Sequence, residues 1–538
     1  MKTQDAIKLA VENVKKEGTT DVEVFLRPFE LAMIKGSVEE EVYRLIKASF
    51  KQHNLQSLKV SPISHVLVPK KELFDFRKCA HIQPLDEMKY LALVLQLATK
   101  IEKARINRSD NRIFSYRFSH QKGYLFDPRY NYTSFREYVS KRSKKNKINV
   151  VVSCDISNFY DRLNLHRLEC VLESIQGCDK NVIRQINELL IFWANRDSYG
   201  LPVGSNASRI LAEASLIEVD NYLLSQKVDF CRFVDDYRIF AKDAAEAHHW
   251  LSLLVKRLSM EGLFINTSKT EIKDVSCYGS EETESQEPQS DEVPLVDEVP
   301  PFDDATLNNK FNVPKIIRGY SGLIPTKFRN LTVGESKKLV DLDTDTILNE
   351  IQESIVIDPR SFVQLIKGGV SQESPYILIE SVKLLNKFPQ FIPYTLDAIS
   401  KKEDMFSNEQ VSEISELLNE WLKLAKTPEY ILVYIVRFFG SGAFKNKVLL
   451  FDYFRQLRRN EGSYIGRAVL EQLEGLVGRG EVLEIRDYYS RADMWEKRQI
   501  ARMVDIHMTE GEKTPFFRNI LSLEEDVFLK NTMNKKPA

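Results

Sequence analysis

The sequence predicts an α+β fold in its first half and an all-helical second half, on three observations. Residues 148–156 and 230–240 are β-branched and aromatic runs in which carboxylates interrupt otherwise apolar strands. Beyond residue 305 helical periodicity dominates, broken by short turns such as Gly368-Gly369, Gly440-Ser441-Gly442 and Gly478-Arg479-Gly480. Between the halves, residues 280–304 hold ten acids, four prolines and no Lys or Arg, with Asp-Glu-Val-Pro at 291–294 and again at 297–300. That is the composition of an extended or disordered linker, or of an acidic strap that competes with nucleic acid. The expected boundaries are 1–55 for an N-terminal helical segment, 56–280 for the α+β module, 281–306 for the linker and 307–538 for the helical domain.

Composition sets the outer bounds. The 538 residues suffice for two or three domains, and 43% hydrophobic with 28% charged residues is ordinary for a soluble globular protein. No apolar run approaches the ~18–20 residues of a membrane span. The segment Met1–Asp5 opens an amphipathic helix and not a signal peptide. Cys79, Cys154, Cys170, Cys178, Cys231 and Cys277 are scattered without CxxC spacing. This suits reduced thiols in a cytoplasmic protein and argues against a zinc site.

The elements follow in chain order. Glu39-Glu40-Glu41-Val42-Tyr43-Arg44 places Tyr43 on the polar face of an early helix. Residues 100–147 hold 14 Lys/Arg against 4 Asp/Glu, interleaved with nine aromatics, and end in Lys141-Arg142-Ser143-Lys144-Lys145-Asn146-Lys147. Basic groups among stacking rings suit single-stranded nucleic acid; a solvated loop beside an aromatic core is the plainer alternative. Residues 148–156 then form a strand ending in Asp155. Tyr199-Gly200-Leu201-Pro202-Val203-Gly204-Ser205 reads as a loop opening a helix capped by Ser205 or Asn206. Gly204 lacks a side chain, so a base pair has room to approach its backbone. Residues 230–240 read as strand, tight turn, strand, with Asp235 and Asp236 at the turn. A buried strand does not tolerate unpaired carboxylates. Carboxylates that converge become favourable when a hard cation joins them, and Mg²⁺ prefers oxygen ligands.

In this order, the motifs resemble those of a reverse transcriptase. Asp155 matches the first catalytic aspartate, and Phe233-Val234-Asp235-Asp236 matches the Tyr-x-Asp-Asp box with Phe for Tyr. Leu201-Pro202-Val203-Gly204 matches the Leu-Pro-Gln-Gly loop with Val203 for Gln. Gly262 through Thr270 resembles the next motif of the palm, with its lysine at Lys269, and Cys277-Tyr278-Gly279 stands where a primer-grip turn is expected. Val68-Pro69-Lys70-Lys71 through Arg77 resembles the fingers. The resemblance spans roughly residues 60–280. With the helical tail, it points to the bacterial defence-associated, abortive-infection (AbiK-like) reverse transcriptases, in which fingers and palm precede HEAT-like repeats.

The resemblance implies a set of roles. Asp155, Asp235 and Asp236, with the Ile156 carbonyl, hold two Mg²⁺ ions. Lys269 protonates the leaving group, while Lys70, Lys71 and Arg77 neutralise the triphosphate. Tyr160 sits under the sugar and excludes a ribose 2′-OH, and Gly204 faces the nascent base pair. Implied partners are dNTPs, single-stranded DNA or RNA (a noncoding RNA included) and further copies of the chain. A tyrosine hydroxyl, Tyr43 being the candidate, serves as primer. An RNA-templated retron or group II intron enzyme and a non-enzymatic nucleic-acid scaffold stay open beside this reading. In the tail, helices are expected at 335–356, 359–369, 375–388, 391–400, 408–426, 428–439, 444–459, 462–478, 480–490 and 493–507. They pair at roughly 35–40 residues, the HEAT-like range.

Overall fold

The computed structural model describes residues 1–69, 76–145, 147–275, 326–355, 357–457, 463–521 and 526–533. Lys70, Lys71, the Cys277-Tyr278-Gly279 turn and the acidic linker lie outside the described residues. The chain divides into two compact units: Met1–Ile63 with Ala80–Val296, and Ser64–Cys79 with Asp297–Ala538. Among the described residues no helix is long and apolar enough to cross a membrane.

The first unit is built around a four-stranded sheet. Its strands are β1 (Val150–Asp155), β2 (Phe230–Phe233), β3 (Asp236–Ala241) and β4 (Glu271–Asp274), in the order β2-β3-β1-β4. Each paired neighbour is antiparallel. β1 and β3 align Val151 with Phe240, Ser153 with Arg238 and Asp155 with Asp236. Side chains alternate between faces, so this register fixes which residues share one. Val151, Phe240 and Cys231 form a buried cluster with Phe114, Phe135 and Val139 on one face. Val152, Cys154, Tyr237 and Ile239 are buried on the other. Asp155 and Asp236 belong to the first face and stand at its end.

Helices α1 (Thr3–Glu17), α2 (Ser37–Ser49), α3 (Pro84–Ala104), α4 (Tyr132–Ser143), α5 (Leu165–Ser174), α6 (Lys180–Trp193), α7 (Asn206–Ser215), α8 (Ile217–Ser225) and α9 (Ala244–Met260) surround the sheet. α3 is buried along most of its length, between α1 and α7. α4 packs on β2 and β3, and α9 on β1 and β3. Ser205 caps α7, accepting from the Ala207 N–H at 3.1 Å while its hydroxyl donates to buried Glu87 at 2.6 Å.

The second unit is largely helical. Its helices follow the expected periodicity: Pro359–Ser371, Pro375–Leu384, Ile392–Lys401, Asn408–Lys423, Glu429–Phe438, Lys447–Gln456, Ile465–Leu473, Arg479–Asp487 and Met494–His507. The helix expected over 335–356 is instead two, Val333–Leu339 and Thr344–Glu353. Asp343 divides them because its carboxylate accepts from the Thr346 N–H at 3.1 Å, which starts a new helix. Glu510–Leu521 and Val527–Met533 extend the array. From Val333–Leu339 to Met494–His507 the helices pack on their next or next-but-one neighbours, and Phe362 stacks at 4.3 Å on Phe391, the residue before Ile392–Lys401. The contacts are local in sequence, as expected of stacked helices.

Candidate active site

The site starts from the turn between β2 and β3. Phe233 pairs with Asp236, so Val234 and Asp235 alone form the connection. Asp236 is therefore the first residue of β3, not part of the turn as the sequence suggested. Val234 has φ +54°, a left-handed conformation that β-branched residues avoid. Such a residue stores about 1–3 kcal/mol and persists only where its surroundings enforce it. The Ile156 N–H donates to the Asp235 carbonyl at 3.2 Å, tying the turn to the end of β1.

Asp155 and Asp236 face one another across β1 and β3. Opposed like charges destabilise a strand pair unless cations intervene. Here two cations do. Arg238 Nη1 lies 3.2 Å from Asp236, and Lys269 Nζ lies 4.0 Å from Asp155. Asn266 supports the same carboxylate: its N–H donates to the Asp155 carbonyl at 2.7 Å, and its Nδ2 lies 3.4 Å from Oδ2. Asn266 also caps the 3₁₀ turn Thr267–Lys269, which carries Lys269 to this position. Lys269 is marked in the sequence by its motif, whereas Asn266 carries no local signal of this role.

The donor set is the one a hard divalent cation requires, carboxylate and carbonyl oxygen. The opposed pair Asp155 and Asp236 carries the charge such an ion would neutralise. Among the described residues, however, no three His, Cys, Asp or Glu side chains are gathered closely enough to hold a metal. The sequence reading had three carboxylates converging. The structure brings them to one end of one sheet without closing them into a cluster, with Arg238 turned onto Asp236.

This geometry, carboxylates on adjacent antiparallel strands joined through a tight turn, coincides with a family match. Residues 83–291 match the protein-family model for reverse transcriptase (RNA-dependent DNA polymerase). The chain carries a reverse transcriptase domain. The activity this indicates is RNA-directed DNA polymerisation, a nucleotidyl transfer. No match was found among curated proteins. Among solved structures, telomerase from Candida albicans in complex with a TWJ fragment of telomeric RNA is similar at 14% identity and a TM-score of 0.31. That alignment covers 84% of this chain and 72% of the other. Telomerase from Candida Tropicalis, in complex with the same kind of fragment, is similar at 13% identity and a TM-score of 0.30, over 70% of this chain and 64% of that one. Overlaps this loose define no shared fold.

Around the acids, the reverse transcriptase domain places Tyr160 on the short helix Phe159–Arg162, half-buried. Burial and the nearby Tyr116 push its phenol well above the usual range, and Arg209, Glu213 and Asp235 also act on it. Tyr160 thus shares the surroundings of Asp235. Its carbonyl accepts from the Leu201 N–H at 2.9 Å, fixing the loop that leads to Gly204.

Gly204 does not face open space. It has φ +108°, and an ideal Cβ there would fall on Thr20 Oγ1 and stand 3.2 Å from Thr20 Cβ and Val22 Cγ2. The N-terminal segment continues this contact. Asn206 Nδ2 donates to Glu17 at 2.8 Å and to Asn13 at 3.1 Å, and Arg209 pairs with Asp21. The room expected here for a base pair is filled by the chain itself. Thr20 and Gly204 lie far apart in the chain, so no local pattern signals this contact.

The basic segment 100–147 is also largely spoken for. Arg105 pairs with Glu102 and Glu213, Arg108 with Glu102 and Asp127, Arg112 with Asp229, Arg117 with Glu102, and Arg129 with Asp127. Arg142 is bound to Asp229, so it fastens α4 to the sheet. Phe114, Phe135, Tyr130, Tyr132 and Tyr138 pack together in the aromatic core with Phe233. They are not a stacking platform. Lys144, Lys145 and Lys147 remain as an exposed group, joined by Lys141, which is exposed beside Glu137 at 4.0 Å.

Arg77 is exposed on the strand Phe76–His81, in the part of that strand that belongs to the second unit. Tyr43 lies on α2, its hydroxyl 3.5 Å from Glu39. Burial and Glu39 push its phenol up to about 12. That opposes the phenolate a nucleophile needs.

Proposed function

We propose that the chain is a Mg²⁺-dependent DNA polymerase of reverse-transcriptase type that adds dNTPs without a conventionally docked template and primer, in bacterial antiphage defence. The observation that carries the polymerase chemistry is the opposition of Asp155 and Asp236 beside the Asp235 turn, with Lys269 next to Asp155. Asp155, Asp235, Asp236 and the Ile156 carbonyl are the groups that would hold Mg²⁺. An ion held there would supply activation of the attacking hydroxyl and neutralisation of charge on the triphosphate. Lys269 then donates a proton toward the leaving pyrophosphate. Tyr160 crowds the sugar position and rejects a 2′-OH.

Two features support the departure from ordinary templating. Val203 stands where the resembling family has Gln, and Thr20 with Val22 covers the Gly204 backbone. The defence setting rests on the order of parts, a palm followed by a long helical array read as HEAT-like. Such an array offers surfaces for self-assembly or nucleic acid. Protein priming belongs to this reading. Tyr43 is poorly activated as folded, so adduct mapping must cover all 21 tyrosines.

The test incubates purified full-length protein with Mg²⁺ and single labelled dNTPs, with and without RNA, and resolves the products with and without protease. Protease-sensitive DNA made without RNA, and lost in Asp235→Asn and Asp236→Asn, is the expected result. Extension that requires RNA and yields free DNA would replace the proposal with a templated, retron-like or intron-like enzyme. No incorporation by protein that still binds nucleic acid would leave a scaffold.

A further inference from the structure

We infer that Arg232 is a positioning residue, which sets the acid-bearing turn from behind. Its side chain is fully buried on the face of the sheet opposite Asp155 and Asp236. Nε and Nη2 hold both Asp220 oxygens, at 3.0 and 2.6 Å. Nη2 also reaches Glu213 at 3.1 Å, and Nη1 donates to the Val234 carbonyl at 2.7 Å. That carbonyl belongs to the peptide joining Val234 to Asp235, the one that must stay in place if Val234 is to hold φ +54°.

The guanidinium is itself held rigidly. Glu213 is fixed by Arg105 at 2.6 Å and by the Ser115 hydroxyl at 2.6 Å, and the Tyr237 hydroxyl donates to Asp220 at 3.1 Å. The Arg232 backbone is pinned along its free edge, where its N–H donates to the Arg112 carbonyl at 2.7 Å and its carbonyl accepts from the Phe114 N–H at 2.9 Å. A planar fork satisfying two carboxylates and one turn carbonyl is a task for Arg and not Lys. The network spans α7, α8, β2, β3 and the C-cap of α3, and ends on the peptide beside Asp235. Its effect on chemistry is through the turn, with no contact to substrate.

The inference rests on the metal-binding reading of the three aspartates, and the test separates the two. Full-length wild type, Arg232→Lys and the charge-balanced pair Arg232→Met/Asp220→Asn are compared. Mn²⁺ binding is measured by electron paramagnetic resonance, Mg²⁺ dependence by dNTP incorporation, and folding by circular dichroism and melting. Folded variants should bind Mn²⁺ roughly tenfold more weakly and need correspondingly more Mg²⁺. Adding Val234→Gly should recover much of that loss, since glycine adopts positive φ without enforcement. If wild type binds no Mn²⁺, the metal reading itself fails. If wild type binds and a folded variant matches it within about twofold, well under the expected effect, Arg232 is structural only. Failure of both variants to fold would likewise make it a folding residue and overturn the inference.

Discussion

Replacing Gly204 by alanine should destabilise the reverse transcriptase unit by about 2–5 kcal/mol. At φ +108° an L-residue is strained, at a cost of about 1–2 kcal/mol. The added methyl also falls on Thr20, and overpacking of this kind costs about 1–3 kcal/mol. Thr20 cannot rotate aside freely, because its Oγ1 accepts from the Val22 N–H at 3.2 Å. The expected fall in Tm is roughly 4–10 °C. Hydrogen exchange should rise in peptides covering 13–22 and 201–209, and not across the second unit. Thr20→Ala removes the colliding oxygen and leaves the backbone strain. In that background Gly204→Ala should cost about 1–2 kcal/mol less. An equal cost in both backgrounds would refute the packing of Thr20 on this loop.

Three further outcomes are expected. Tyr160→Ala should relax the preference for dNTPs over rNTPs; unchanged selectivity in an active variant would make the ring a packing residue. Lys141, Lys144, Lys145 and Lys147 together changed to Gln, with Arg142 kept for its bond to Asp229, should reduce the log–log salt slope of single-strand binding by up to roughly 3. A slope equal to wild type would mean that no phosphate is met there. Burial pushes the Glu87 carboxyl up to about 8, against Ser205 and Arg209. Its folded pKa thus exceeds the ordinary 4.5, so the folded state holds the extra proton and stability falls as pH rises from 4.5 through about 8. Glu87→Gln should flatten the decline in Tm between pH 6 and pH 9, and an unchanged decline would acquit Glu87.

The parts legible in the sequence were those coded locally. Asp155, Asp235 and Asp236 announce themselves because each stands at the end of an apolar, strand-like run, and nearly every tail helix follows from its own periodicity. The parts that were not legible depend on contacts distant in the chain. Arg142 looks like one of a run of solvated cations until Asp229 is seen beside it. The rings of 114–138 have the composition of a binding surface, and nothing local says that they pack on Phe233, Cys231 and Phe240 of the sheet. Arg232 directly precedes the recognised Phe233–Asp236 box, yet its partners Glu213 and Asp220 come from helices α7 and α8.

The contact between the chain's beginning and the Gly204 loop also has a consequence for how the protein is made. Asn13 and Asn206 are 193 positions apart, and Asp21 and Arg209 are 188. During synthesis Asn13 and Asp21 wait until residues 206–209 are made before these two partners exist. Closing so long a loop costs entropy that only the finished contacts repay, which slows the docking of the Gly204 loop on residues 13–22. A fusion or tag at the N-terminus would act on this step first, lowering the yield of folded protein before it touched the rate of any reaction.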